Sequence, residues 1–267
     1  MMEGVASEAA SLAGHLRLSK LIVLYDDNHI SIDGGTDMAF TEDVEKRFQA
    51  YGFTTFSVKD GDSDLKGMAE AIERARQNRD GPSFIRVRTT IGKGAGSMEG
   101  TAKVHGAPLG AERVAAAKTA FGFDPKASFV VPESVRAFYK RAVELKMNDY
   151  EKWQERFESF RKSHPREADD FVRRIDKRLP DDISWPVPPS QPEATRKLSE
   201  HVLNAIAPKL PELVGGSADL TESNLTKWTG SIDFQHPSHP SGDYSGRYFR
   251  FGVREHAMFA MCNGMAA

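Results

Sequence analysis

From Met1 to Thr90 the chain switches between spaced apolar positions and short unbroken apolar runs. Val5, Ala9, Leu12 and Leu16 recur at helical spacing and predict a helix over about Gly4 to Arg17. Leu21 to Leu24 is an unbroken apolar run that turns into Tyr25-Asp26-Asp27-Asn28-His29, which predicts a buried strand delivering polar residues to its carboxyl end. A strand of this kind is usually covered by helices on both faces, the habit of parallel α/β sheets. Thr41 can cap a second helix striped by Val44, Phe48 and Tyr51; a strand follows at Thr54 to Val58. Leu65, Met68, Ile72 and Ala75 mark a third helix, and Gly81-Pro82 resets the chain for a strand from Ser83 to Thr89. This alternation predicts an α/β fold with a parallel sheet flanked by helices and right-handed crossovers.

The next stretch, Gly92 to Gly100, is rich in small residues and runs on to His105 and Pro108. It is not a dinucleotide fingerprint, because no helix opens on its third glycine, and not a P-loop, because Gly-x-x-x-x-Gly-Lys-Ser/Thr is absent. A lid beside a binding edge and a plain solvent loop both fit it. Helices are expected at Ala111 to Phe121, Glu133 to Lys146, Tyr150 to Arg161 and Glu167 to Arg178. Five prolines then fall between Leu179 and Pro192, a density that predicts an extended connector. The expected division is therefore a domain at 1–178, a linker at 179–193, and the start of a second α/β domain at 194–267. There, Leu198, Val202 and Ile206 share a helical face, Leu213 to Leu220 reads as a strand ending in glycine and an acid, and Tyr248 to His256 reads as a strand entering a last helix. Residues 194–267 are too few for a complete second α/β domain, and the last helix ends without Gly, Asn or a basic cap, so a fragment of a longer protein is expected.

Composition narrows the function classes. With a formal net charge of −2, the chain has no basic field to recruit nucleic acid. No apolar run approaches the roughly 20 residues a membrane span needs. One cysteine, Cys262, cannot form an intrachain disulfide, which suits a cytoplasmic, reducing location.

Candidate chemistry gathers where the first strand ends. The side-chain carbonyl of Asn28 beside a turn carbonyl is hard-oxygen ligation, suited to Mg2+ or Ca2+. A strand closing on a polar turn with no ligand is the plainer reading. Taken singly, Glu255, Glu3 and Glu8 read as acids favoured at helix starts, and Arg196 as a solvated surface arginine.

Six segments together resemble the transketolase family in order and spacing: Met2 to Ala9, Tyr25 to Gly34, Val104 to Leu109, Ala194 to Lys197, Gly215 to Leu220, and Arg254 to Ala257. The resemblance implies the thiamine-diphosphate-binding fold, and an enzyme of carbohydrate metabolism that moves a two-carbon ketol unit between sugar phosphates in the pentose phosphate pathway. It also implies a homodimer with active sites at the interface. Asn28 and the carbonyl of Ile30 match the family's metal ligands for Mg2+, Ca2+ or another divalent cation. The family's Gly-Asp-Gly element, which supplies a further ligand, is expected just before Met1. His105 matches a histidine beside the diphosphate and the substrate's reacting end; Arg196 and Ser223 match residues that grip the sugar phosphate, with Asp219 nearby. Glu255 matches the glutamate that hydrogen-bonds N1′ of the aminopyrimidine, a role that requires burial to keep its proton. Glu3 and Glu8 match acids that link the two active sites, and Glu3 is placed with the cofactor. A synthase of the dihydroxyacetone or deoxyxylulose phosphate type, and a non-catalytic remnant, are the competing readings.

Overall fold

The computed structural model describes residues 1–267. Its elements are α1 (Gly4–His15), β1 (Ile22–Asp27), a small hairpin of β2 (Ile30–Ser31) and β3 (Gly34–Gly35), α2 (Val44–Ala50), β4 (Thr54–Val58), α3 (Leu65–Gln77) and β5 (Ser83–Arg88). The chain continues with α4 (Ala111–Ala120), α5 (Glu133–Ser163), α6 (Pro165–Ile175), α7 (Thr195–Ile206), β6 (Gly215–Ser217) and α8 (Thr221–Asn224). It ends with β7 (Asp233–Phe234), β8 (Gly242–Asp243), β9 (Tyr248–Arg250) and α9 (Glu255–Ala266). Two compact units emerge that do not follow sequence order. One joins residues 1–126, 216–220 and 232–267; the other joins 127–215 and 221–231.

The first unit is built on a parallel sheet ordered β1-β5-β4. Alternation sorts its side chains. Val23, Tyr25 and Phe84 pack under Ala10 and Ala13 of α1 and Val44 and Phe48 of α2, while Val58, Ile85 and Val87 pack against Ala71 and Ala75 of α3. Phe84 is fully buried, with ring centroids 4.0 Å from Phe48 and 5.9 Å from Tyr25. Gly14 lets α1 approach the end of α2, since a Cβ there would lie 1.6 Å from the Tyr51 carbonyl oxygen. A separate four-stranded sheet is ordered β6-β9-β7-β8. In the other unit, α5 and α6 share an aromatic seam, Trp153 stacking on Phe157 and Phe157 meeting Phe171 at a tilt.

Four local expectations change. The first strand is not covered on both faces: β1 is the edge of the sheet and Leu24 is 50% exposed, because α3 lies over β4 and β5, leaving the fully covered role to central β5. The two helices expected between Glu133 and Arg161 are one, since Met147-Asn148-Asp149 holds no Pro or Gly to break it. Asp43, not Thr41, caps α2, accepting from Lys46 N at 3.1 Å. The strand expected from Leu213 begins at Gly215. No helix is long and apolar enough to cross a membrane.

The contrast between β5 and β1 is measurable. Phe84→Ala should cost about 3–5 kcal/mol and Leu24→Ala under about 1 kcal/mol, read from urea unfolding of the chain. Equal losses would contradict the assignment of β5 as the buried centre.

Candidate functional site

Polar residues collect at the carboxyl edge of the parallel sheet. Asp27, the last residue of β1, is buried, and its carboxylate accepts from Arg86 Nε at 2.6 Å and lies 3.3 Å from His29 Nε2. Arg88 Nη1 donates to the Asp27 carbonyl at 2.7 Å, and the Thr89 hydroxyl bonds the Asp26 carboxylate. Parallel pairing sets Tyr25 opposite Arg86 and Asp27 opposite Arg88, so these side chains leave one face of the sheet together. The Asp27 hydrogen bond raises the Arg86 pKa, and burial, aided by Asp27, raises that of Tyr25. A cavity of about 190 Å³ opens here, lined by Tyr25, Asp27, His29, Phe40, Glu45 and Arg86 among others. A larger one of about 490 Å³ between α5 and α6 touches none of the residues picked from sequence.

The chain then folds back on itself. Asn28 Oδ1 accepts from Ile30 N at 2.9 Å, the Asx turn that asparagine favours. His29 adopts a left-handed backbone with φ of 58°, and its carbonyl accepts from Thr36 N at 3.0 Å, closing the β2–β3 hairpin. Asn28 and Ile30 are thus brought together in one turn. The turn itself presents the Asn28 side-chain amide oxygen and main-chain carbonyls, and no group of three or more His, Cys, Asp or Glu stands together as a metal cage.

The loop after β5 is fastened rather than trailing. Glu99 accepts from Gly94 N at 2.9 Å and pairs with Lys93 Nζ at 3.1 Å, while Gly100 N donates to Ile91 O at 2.9 Å. The Gly94 amide and then Lys93 hold the Glu99 carboxyl below the usual carboxylate range, and Glu99 in turn raises Lys93. His105 sits exposed just past this loop, its amide bonded to Ala102 O at 3.0 Å.

A third cluster joins the two ends of the sequence within the first unit. Glu8 of α1 accepts from Ala257 N at 2.9 Å and so caps α9, whose own N-cap residue, Arg254, offers no capping side chain. Arg254 Nη2 donates to Ser11 Oγ at 3.0 Å, and Leu12, Leu16, Ala218 and Phe251 form the core beneath, flanked by Met258 and Met261. The burial expected of Glu255 is not found: it is exposed, because α9 turns Ala257 inward and a residue two positions earlier lies roughly 200° around the helix. Glu3 is exposed at the start of α1, and Asp219 is exposed with a left-handed φ of 62°. Arg196 on α7 and Ser223 on α8 are exposed and belong to the other unit.

Sequence reasoning passed over Arg86, Arg88 and Glu99. The signal for the arginines was present: two cations at alternate positions in an otherwise apolar strand that ends beside Asp27.

Comparison with known proteins gives this arrangement a context. The family described as the thiamine diphosphate binding domain of transketolase matches residues 1–180, and the transketolase pyrimidine binding domain matches residues 191–267. A transketolase of Scheffersomyces stipitis is 49% identical over 100% of this chain and 40% of its own length; a probable transketolase of Schizosaccharomyces pombe is 47% identical over 100% and 39%. Among solved structures, a Pichia stipitis transketolase in complex with sedoheptulose 7-phosphate aligns with a TM-score of 0.94 at 48% identity, covering 99% of this chain and 40% of that one. Transketolase from Leishmania mexicana aligns at 0.92 and 44% identity, covering 99% and 39%. The chain spans about 40% of the length of the curated relatives it matches.

The Glu99 fastening has a defined pH sense. Its carboxyl is depressed in the folded chain, so its contribution is present at neutral pH and is lost as pH falls through the lowered value. Amide-exchange protection across residues 92–100, corrected for intrinsic rates, should hold at pH 6 and fall below about pH 4. Glu99→Gln should abolish that step; a step that survives the substitution would rule out Glu99 as its source.

Proposed function

Because the chain belongs to the transketolase family, we propose that a protein of the relatives' full length carrying it transfers a two-carbon ketol unit from a ketose phosphate to an aldose phosphate, the ketol transfer of the pentose phosphate pathway. The observation that carries this reading is the match of both domain families along one chain, with the Asn28–Ile30 turn at the carboxyl edge of the sheet, where open α/β folds bind ligands. Thiamine diphosphate, when bound, supplies the electron sink for the carbanion.

The residues present fit a divalent cation in kind. Asn28 Oδ1 and the Ile30 carbonyl are hard oxygens in one turn, suited to Mg2+ or Ca2+, and the neighbouring carboxylate of Asp27 is already neutralised by Arg86. Asn28 and Ile30 would hold that cation against the diphosphate. Glu255 would hydrogen-bond N1′ of the aminopyrimidine, with Glu3 as a further cofactor-binding candidate. His105 would pass a proton to and from the substrate hydroxyl, for which an imidazole suits neutral pH. Arg196 and Ser223 would grip the sugar phosphate, the guanidinium matching its oxygens, and Asp219 is a further substrate-binding candidate.

A homodimer is part of the proposal. Glu255, Phe259 and Cys262 lie at helical spacing along α9 and are all exposed, Phe259 to 65%, which supports a second subunit covering this face and drying Glu255. The domains are assigned to 1–178 and 194–267, with 179–193 as the linker, supported by the proline density there. The assigned location is the cytoplasm.

The test uses the full-length protein with thiamine diphosphate, Mg2+, xylulose 5-phosphate and ribose 5-phosphate. Turnover is expected, and Glu255→Gln should lower kcat at least ~100-fold, the lower end for loss of a proton-handling group. Wild-type turnover no faster than that variant would refute the proposal. The 267-residue chain assayed alone should show none.

A further inference from the structure

We propose that Arg86 and Arg88 are positioning residues that preset the Asn28–Ile30 turn for its cation. The inference rests on reading Asn28 and Ile30 as ligands. Asp27 immediately precedes Asn28, and both of its polar ends are held from the neighbouring strand. Arg86 Nε takes the carboxylate at 2.6 Å, and Arg88 Nη1 takes the carbonyl at 2.7 Å. Arg86 is itself braced, its Nη1 lying 3.3 Å from Glu45 Oε2, while Glu45 Oε1 accepts from Ser57 Oγ at 2.6 Å. The line Ser57–Glu45–Arg86–Asp27 therefore crosses β4, α2, β5 and β1 and ends one residue from the turn.

Two consequences follow. The entry angle of the turn is set by rigid strands, because β5 is the buried centre of the sheet. The Asp27 charge is also committed to Arg86 and is withheld from the cation, so the turn offers neutral oxygens. Groups that orient ligands in this way, without touching the metal, typically alter affinity by about 10–100-fold.

Removing Arg86 alone would strand a buried carboxylate and endanger the fold. The variants are therefore Arg88→Met and the double change Asp27→Asn with Arg86→Met, with Arg88→Lys as the conservative rescue and Asn28→Ala as the ligand control. In the metal-free 267-residue chain, exchange at the Ile30 amide, which donates to Asn28 Oδ1, should quicken at least ~10-fold in both disruptive variants, in line with the affinity range above. Amides of Phe84 and Ile85 should keep their protection, which separates a loosened turn from a failing fold. Mn2+ binding by the full-length protein in the presence of thiamine diphosphate, followed by water-proton relaxation, should weaken about 10–100-fold in these variants, with Arg88→Lys recovering part of the loss. Unchanged Ile30 exchange overturns the inference. So does faster exchange with unchanged Mn2+ affinity, which would leave the arginines a merely structural role. If the unaltered full-length protein binds no Mn2+, or if Asn28→Ala leaves its Mn2+ binding intact, the ligand reading fails and this inference falls with it.

Discussion

A carboxylate cannot be buried at the end of a strand without a cation to meet it, and Asp27 is that carboxylate. Its partners come from the register of β1 against β5: Tyr25 faces Arg86 and Asp27 faces Arg88, all on the sheet face that also carries Phe84. A slip of one residue would turn both arginines to the α3 side and leave the charge unanswered. The pairing thus constrains the sheet, the seat of α2 through Glu45, and the turn that follows Asp27.

The remaining pieces of the candidate site are held by the same kind of long-range satisfaction. The start of α9 lacks its own cap, and Glu8, some 249 positions earlier in sequence, supplies one. That bond ties the helix bearing Glu255 to α1, and the contact of Gly14 with Tyr51 ties α1 to α2. The loop leading to His105 is instead closed locally, by Glu99 on Gly94 and Lys93. At the sheet edge Asp27 is buried, while His105 and Glu255 are exposed.

Much of the first unit was legible from its pattern. The three helices and three of the five strands before Thr90 fall within a few residues of their predicted positions, because apolar spacing and the turn residues near Asp43, Gly61 and Gly81 specify them locally. Asn28 and Ile30 were legible as a turn, since an asparagine at a strand end favours bonding to the backbone two residues on. The single helix α5 runs through Asn148 and Asp149, weak helix formers whose small cost the flanking turns outweigh, where the sequence pattern predicts two helices.

By itself, then, the sequence determined the alternation of elements, the parallel sheet and the family resemblance, all of which depend on neighbours in the chain or on motif order. Tertiary structure alone decided that β1 lies at the edge and β5 at the centre, that Arg86 and Arg88 close on Asp27, and that Glu8 caps the helix of Glu255. It also decided that Glu255 faces outward within this chain. The reason is physical: helix and strand periods are local properties, whereas burial and charge pairing are set by which distant segments meet.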